Sequence, residues 1–102
     1  MTVREVVVLG EVAGDLNEGS AFYDQQERGI GDYFWDSLVS DIESLRIYAG
    51  IHPRKHGVYR MLARRFPYAV YYEIAEDVAY VVAVLPMRRS PAWIRKQLRS
   101  RG

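Results

Sequence analysis

The sequence predicts an α+β domain in which an N-terminal helical hairpin packs on a small antiparallel sheet, followed by a short C-terminal helix. Residues 58–89 contain three apolar segments rich in Val, Ile and Tyr, and the connections between them are too short for a crossover helix. Residues 15–48 instead carry apolar side chains at the three- and four-residue spacing of amphipathic helices.

Composition predicts one domain over residues 1–102, with enough hydrophobic residues (49%) to form a single core. The chain contains no cysteine, which excludes thiol catalysis and thiolate metal sites. The apolar run that follows Arg4 and Glu5 is too short for a signal peptide or a membrane span. We therefore expect a cytoplasmic protein that does not associate with membranes.

Charge is divided unevenly along the chain. Residues 1–50 contain 3 basic and 10 acidic residues, a net charge of −7, whereas residues 51–102 contain 11 basic and 3 acidic residues, a net charge of +8. Such asymmetry indicates a surface that faces a polyanion. The alternative is that the acidic helices neutralise the basic strands within the monomer.

The first half of the chain predicts one strand and two helices. Residues 2–9 are apolar enough to form an edge or central strand of the sheet. Asp15 is predicted to cap the first helix, because Glu18 three residues later completes a capping box. This helix is expected to end near Gly29, where a left-handed residue fits. A second helix over residues 30–48 buries an apolar stripe of Ile30, Phe34, Leu38, Ile42 and Leu45.

The second half predicts a loop, three strands and a helix. The loop over residues 49–57 holds His52 and His56, but Pro53 between them argues against helical spacing, so neither a metal site nor a cofactor is expected. The strands are predicted over residues 58–65, 69–74 and 78–85, and the last is apolar on both faces. Pro91 then begins the C-terminal helix.

With these elements in order, the chain resembles the RelE/ParE toxin superfamily of bacterial type II toxin–antitoxin systems over roughly residues 15–93. The residues that carry the resemblance are Asp15-Leu16, Gly29-Ile30-Gly31, Phe34, Leu38, His52-Pro53, Arg60-Met61-Leu62, Phe66-Pro67-Tyr68, Tyr71-Tyr72, Ala83-Val84-Leu85, Arg88-Arg89 and Pro91.

The resemblance implies a plasmid-stabilisation type of toxin that is masked by the C-terminal segment of a cognate antitoxin. RelE-like members cut mRNA in the ribosome with clustered basic residues and a Tyr, His or Glu. ParE-like members poison DNA gyrase and have no established catalytic residues. Both activities inhibit growth.

The chain departs from the family at Pro86, where many relatives carry a histidine. Proline cannot shuttle a proton, and the segment after Arg89 contains neither Tyr nor His. Tyr59, Tyr68 or His56 would serve as acid or base only where the fold brings them beside the arginines. We therefore favour a ParE-like toxin that is not an enzyme and assign no catalytic residue. The alternatives are a RelE-like ribosome-dependent mRNA endonuclease and an inactive member that is only a binding module.

Six residues are the predicted site residues. Arg60, Arg65, Arg88 and Arg89 are predicted to bind the target or its phosphates, and Arg60, Arg88, Trp93 and Ile94 to contact the antitoxin. The expected partners are the antitoxin and either DNA gyrase or the ribosome with its mRNA. Trp93, Ile94 and Leu98 would form a surface for a partner or a second copy if they do not fold back on the core.

Overall fold

The structure of the protein, a computed structural model, describes residues 2–101, so Met1 and Gly102 of the predicted domain lie outside it. These residues form five strands and four helices: β1 (Glu5–Val8), α1 (Glu11–Gln26), α2 (Ile30–Glu43), α3 (Leu45–Tyr48), β2 (Arg54–Lys55), β3 (Val58–Leu62), β4 (Tyr68–Ala75), β5 (Val78–Pro86) and α4 (Pro91–Arg101). The predicted α+β class is confirmed. No helix within residues 2–101 has the length and apolarity needed to cross a membrane.

The strands form one sheet in the order β1-β5-β4-β3-β2. Strands β3, β4 and β5 are the predicted antiparallel meander, with Leu62 opposite Ala69 and Ala75 opposite Val78. Strand β1 lies at the edge and runs parallel to β5, so the sheet is mixed and not purely antiparallel. This parallel pair is possible because most of the chain, including the helical hairpin, separates the two strands and lets the backbone return to the same end of the sheet.

Helices α1 and α2 form the predicted hairpin around a turn at Gly29. Gly29 has φ of 94°, a left-handed conformation that suits glycine, and the carboxylate of Asp24 accepts hydrogen bonds from the N–H groups of Gly29 (3.1 Å) and Gly31 (2.8 Å). Helix α1 ends at Gln26, close to the predicted end. The predicted second helix is interrupted at Ser44 and continues as α3.

The prediction that Asp15 caps α1 is wrong. The helix begins five residues earlier than predicted, at Glu11, and Gly10 rather than Asp15 occupies the N-cap position, without a side-chain cap. Asp15 lies in the second turn and is only 8% exposed. A buried carboxylate is tolerated inside a helix only when it is paired and hydrogen-bonded, and the partners of Asp15 come from the far end of the chain.

The sheet is covered on both faces, as the two apolar faces of β5 predict. The hairpin packs on one face around Phe34, Leu38 and Tyr72. Helix α4 packs on the other face, where Ile94 is buried against side chains from β4 and β5. Trp93 and Leu98 also pack on this second cluster, so the apolar side of α4 does fold back on the core.

Candidate functional site

Asp15 and Arg101 form a buried ion pair between α1 and the last described residue of α4. The carboxylate oxygens lie 2.5 and 2.7 Å from the two terminal guanidinium nitrogens. The same pair bonds the backbone of β5, because the N–H of Val84 donates to Asp15 (2.9 Å) and Arg101 donates to the C=O of Val82 (3.1 Å). Strand β1 ends at Val8, opposite Val81. Beyond that point no strand pairs with this edge of β5 within residues 2–101, and the side chains of Asp15 and Arg101 instead supply hydrogen-bond partners to its backbone N–H and C=O groups.

A groove of about 580 Å³ runs between α1 and α4 past this ion pair, and we call it the α1–α4 groove. Its walls come from both helices, from the ends of β4 and β5, and from the turn after β5. The lining includes Asp15, Glu18, Phe22, Tyr68, Arg88, Arg89, Trp93 and Arg101. A concave surface with aromatic walls and charged side chains is suited to binding a ligand or a partner segment.

Arg88 and Arg89 project from the turn after β5, and an aromatic ring supports each of them. The guanidinium carbon of Arg88 lies 4.4 Å from the ring centre of Phe22, and that of Arg89 lies 4.4 Å from the ring centre of Trp93. Neither arginine forms an ion pair within residues 2–101. Stacking orders the two cations while leaving their N–H groups available for an anionic partner.

Arg60 lies in a second group of side chains, on the face of the sheet that α4 covers. We call this group, consisting of Lys55, His56, Arg60, Tyr71 and Arg95, the His56 cluster. Partial burial lowers the pKa of His56, and the charges of Arg95, Lys55 and Arg60 lower it further. Burial raises the pKa of Tyr71, and Arg60 beside it acts in the opposite direction. At neutral pH the cluster therefore combines a neutral imidazole and a protonated phenol with three cations, Lys55, Arg60 and Arg95.

A tight hairpin turn places His56 in this cluster. His56 has φ of 58° and Gly57 has φ of 84°, the pair of left-handed conformations that a two-residue connection between β2 and β3 requires. Lys55 is paired with Val58 across this turn. Arg60 then follows on β3 directly opposite Tyr71 of β4.

The structure brings some predicted site residues together and separates others. Arg88, Arg89 and Trp93 meet in the α1–α4 groove, whereas Arg60 lies in the His56 cluster, beyond α4. Arg65 is exposed in the turn between β3 and β4. Ile94 is buried beneath α4, where a partner does not reach it unless the helix moves.

The three candidate acids or bases have different surroundings. His56 does lie beside arginines. Tyr59 is stacked on Tyr72 (ring centres 5.1 Å apart) and carries the guanidinium of Arg54 above its ring at 4.7 Å. Tyr68 is almost fully buried at the base of the groove. Within residues 2–101 there is no group of three His, Asp or Glu side chains arranged to hold a metal.

Sequence reasoning missed Tyr71 as a neighbour of Arg60, Phe22 as the support of Arg88, and the pairing of Arg101 with Asp15. Alternation along the two strands would have indicated Tyr71, because Arg60 and Tyr71 both point away from the helical hairpin. Nothing in the sequence indicated the other two, since each joins elements that are more than 60 residues apart.

No protein-family model matches this chain, and no curated protein matches it in sequence. Among solved structures, a chain of the chromosomal ParDE toxin–antitoxin system from P. aeruginosa has a similar fold, with a TM-score of 0.73 and 12% sequence identity. The superposition covers 82% of this chain and 96% of that chain. At this identity the likeness establishes a ParE-like fold.

Proposed function

We propose that this protein is the toxin of a type II toxin–antitoxin pair, that it inhibits growth by binding DNA gyrase, and that a cognate antitoxin neutralises it. The observation that carries the proposal is the ParE-like fold over 82% of the chain, shared with a chain of a ParDE system. Binding rather than bond chemistry is proposed because the two arginines of the groove are stacked on aromatic rings, and a guanidinium held in this way binds anions but is a poor proton donor.

The α1–α4 groove is the proposed seat of the antitoxin. Arg88 and Arg89 offer charge-assisted hydrogen bonds to carboxylates, and Phe22 and Trp93 offer apolar surface between them. An amphipathic acidic segment of an antitoxin would fit these features, since it pairs its carboxylates with the arginines and buries its apolar side chains against the aromatic rings.

The proposal is tested by inducing this chain in a bacterial host, alone and together with the gene next to it. We expect growth arrest with intact mRNA and condensed or damaged nucleoids, and relief of the arrest by the neighbouring gene. Normal growth with soluble, folded protein would overturn the toxin proposal and favour an inactive binding module. Arrest with cleaved transcripts would overturn the choice of gyrase.

The His56 cluster supports a second candidate function, a ribosome-dependent mRNA endonuclease. In such a reaction neutral His56 would take the proton of a ribose 2′-hydroxyl, and the 2′-oxygen would attack phosphorus. Protonated Tyr71 would then give its proton to the departing 5′-oxygen, while Arg60 and Arg95 stabilise the charge on the phosphate. The products are a 2′,3′-cyclic phosphate and a free 5′-hydroxyl.

The burial of Tyr71 makes the endonuclease the second candidate, after gyrase binding. Tyr71 is 3% exposed beneath α4, so a phosphate would reach its hydroxyl only after the helix moves. The test is transcript cleavage in a translating extract by the wild type and by His56→Gln, with Arg99→Gln as a control on the same charged surface. Cleavage that is lost only in His56→Gln would establish the endonuclease, and the absence of cleavage in every sample would exclude it.

A further inference from the structure

The edge of β3 that faces away from β4 is only partly covered by a neighbouring strand. Successive residues of β3 direct their backbone N–H and C=O groups alternately toward β4 and away from it. The N–H of Ala63 donates to the C=O of Tyr68 on the β4 side, so the N–H and C=O of Leu62 point away from β4. On that other side β2 is only two residues long and pairs with Val58 and Tyr59. Within residues 2–101, no strand therefore lies beside the outward-facing groups of Leu62.

The N–H groups of the two positions that flank Leu62 along this edge already have hydrogen-bond partners. The N–H of Arg60 donates to the C=O of Pro53 at 2.9 Å. The N–H of Arg64 donates to the carboxylate of Asp41 at 3.1 Å. The open part of the edge is therefore short and defined at both ends, with Leu62 at its centre.

A cavity of about 510 Å³ lies along this open edge. Side chains from both faces of β3, Met61 and Leu62, contribute to its lining, which places the cavity beside the strand rather than above one face. The remaining walls are largely apolar, and Leu62, Tyr48 and Ile51 are each at least half exposed. The cavity offers the apolar surface that a side chain of an added strand requires.

Asp41 supplies an independent sign that a ligand belongs here. Its side chain is 2% exposed and lines the cavity, and one carboxylate oxygen has no hydrogen-bond partner within the described chain. A buried acceptor without a donor is costly, and an N–H group of a bound peptide would satisfy it.

We infer that the edge of β3 at Leu62, together with this cavity, is a docking site for an extended, acidic segment of a partner protein. The segment adds a strand at Leu62, places an apolar side chain in the cavity and donates a hydrogen bond to Asp41. Charge selects this occupant over a second copy of the chain, because Arg64 and Arg65 follow the open edge and two copies would bring these cations together. The site lies apart from the α1–α4 groove, and Arg60 of the His56 cluster also contributes to its lining. The inference does not depend on the proposed function.

Backbone amide exchange tests the inference, with two synthetic peptides as probes: capped Glu-Val-Asp-Leu-Glu-Val-Asp, and the same sequence with Lys at every acidic position. We expect the Leu62 amide to exchange quickly in the free protein. The acidic peptide should slow that exchange at least tenfold, and the Lys peptide should have no effect. Slow exchange in the free protein, or no change with the acidic peptide, would overturn the inference. Protection that grows with protein concentration alone would show that a second copy occupies the edge instead.

Two variants at one position separate the backbone contribution from that of the side chain. Leu62→Pro removes the outward N–H, a change that an edge strand tolerates, and should abolish binding of the acidic peptide. Leu62→Ala keeps the N–H and should weaken binding no more than about tenfold. Equal binding by Leu62→Pro and wild type, with amide spectra showing both to be folded, would contradict strand addition.

Discussion

Asp15 and Arg101 join the second turn of α1 to the end of α4 through a buried, two-point ion pair that also completes the edge of β5. The hydrogen bond to Asp15 raises the pKa of Arg101, so the guanidinium remains charged at every accessible pH. The pair lies in the wall of the α1–α4 groove. Its integrity therefore sets the position of α4 relative to the groove and to the His56 cluster.

Removing the cation of this pair should destabilise the fold strongly. In Arg101→Met the carboxylate of Asp15 is held in the middle of α1 and stays buried without its partner, so we expect the free energy of unfolding to fall by about 3–5 kcal/mol. In Asp15→Asn the loss should be smaller, about 1–3 kcal/mol, because Arg101 lies at a helix end and can turn toward solvent. Urea denaturation measures both changes.

Glu11→Gln is the matched control for this pair. Its carboxylate lies 3.9 Å from Arg101 and is mostly exposed, so the free energy of unfolding should change by less than about 0.5 kcal/mol. Equal effects of Glu11→Gln and Arg101→Met would mean that the ion pair does not hold α4.

Two glycines on α1 should respond in opposite directions to alanine. A Cβ on Gly19 would overlap the buried ring of Phe34, so Gly19→Ala should lower the free energy of unfolding by about 1–3 kcal/mol. A Cβ on Gly14 meets nothing, so Gly14→Ala should raise it by about 0.5–1 kcal/mol through better helix propensity. Thermal unfolding followed by circular dichroism measures both. Stabilisation by Gly19→Ala would contradict the packing of the hairpin.

Acid should weaken the fold through His52. Its Nδ1 lies 2.5 Å from the hydroxyl of Tyr72, which also accepts a hydrogen bond from the N–H of Gly50, and burial lowers the pKa of His52 below its ordinary value of 6.5. The unfolded chain therefore binds a proton more readily, and the contribution of His52 to stability is present above pH 6.5 and lost as the pH falls below that value.

Urea denaturation at several pH values between 5 and 7.5 measures this dependence. We expect His52→Gln to flatten the profile over that interval, and Lys96→Gln, an exposed change on α4, to leave it unchanged. His56 also has a lowered pKa, so some dependence should remain in the single variant and disappear in the double variant with His56→Gln. An unchanged profile in the double variant would contradict this assignment.

The stacked arginines should determine antitoxin affinity. Changing Arg88 and Arg89 together to Ala should raise the dissociation constant for the neighbouring gene product by a factor of about 100. Each arginine–carboxylate pair at a partly buried interface contributes about a factor of ten to the affinity. Isothermal titration measures the change. Arg99→Ala, an exposed change on α4, should leave the affinity within a factor of two. Equal effects of both variants would point to general charge rather than the groove.

Most elements of this fold could be predicted because they depend on local patterns, but the two-residue strand β2 lies within residues 49–57, which were predicted to be a loop. The stripe from Phe34 to Leu45 indicated a core helix, and the alternation and short turns between residues 58 and 85 indicated the meander. Asp15 illustrates where local reasoning fails. Its spacing to Glu18 matched a capping box, yet its carboxylate is committed to Val84 and Arg101, which are distant in sequence.

The candidate site was less predictable for the same reason. The sequence identified Arg60, Arg88 and Arg89 as candidate site residues at strand positions that could converge, but not that α4 separates Arg60 from the other two. That separation depends on which face of the sheet the last helix covers. The choice is made by tertiary packing of Ile94 and by the contact of Arg101 with α1.

The most direct test of the central claim is inhibition of DNA gyrase by the purified protein in a supercoiling assay. We predict that supercoiling falls as the protein is added, that the purified antitoxin restores it, and that His56→Gln inhibits as well as the wild type. Full supercoiling at saturating concentrations of folded protein would contradict the claim that this chain acts by binding gyrase.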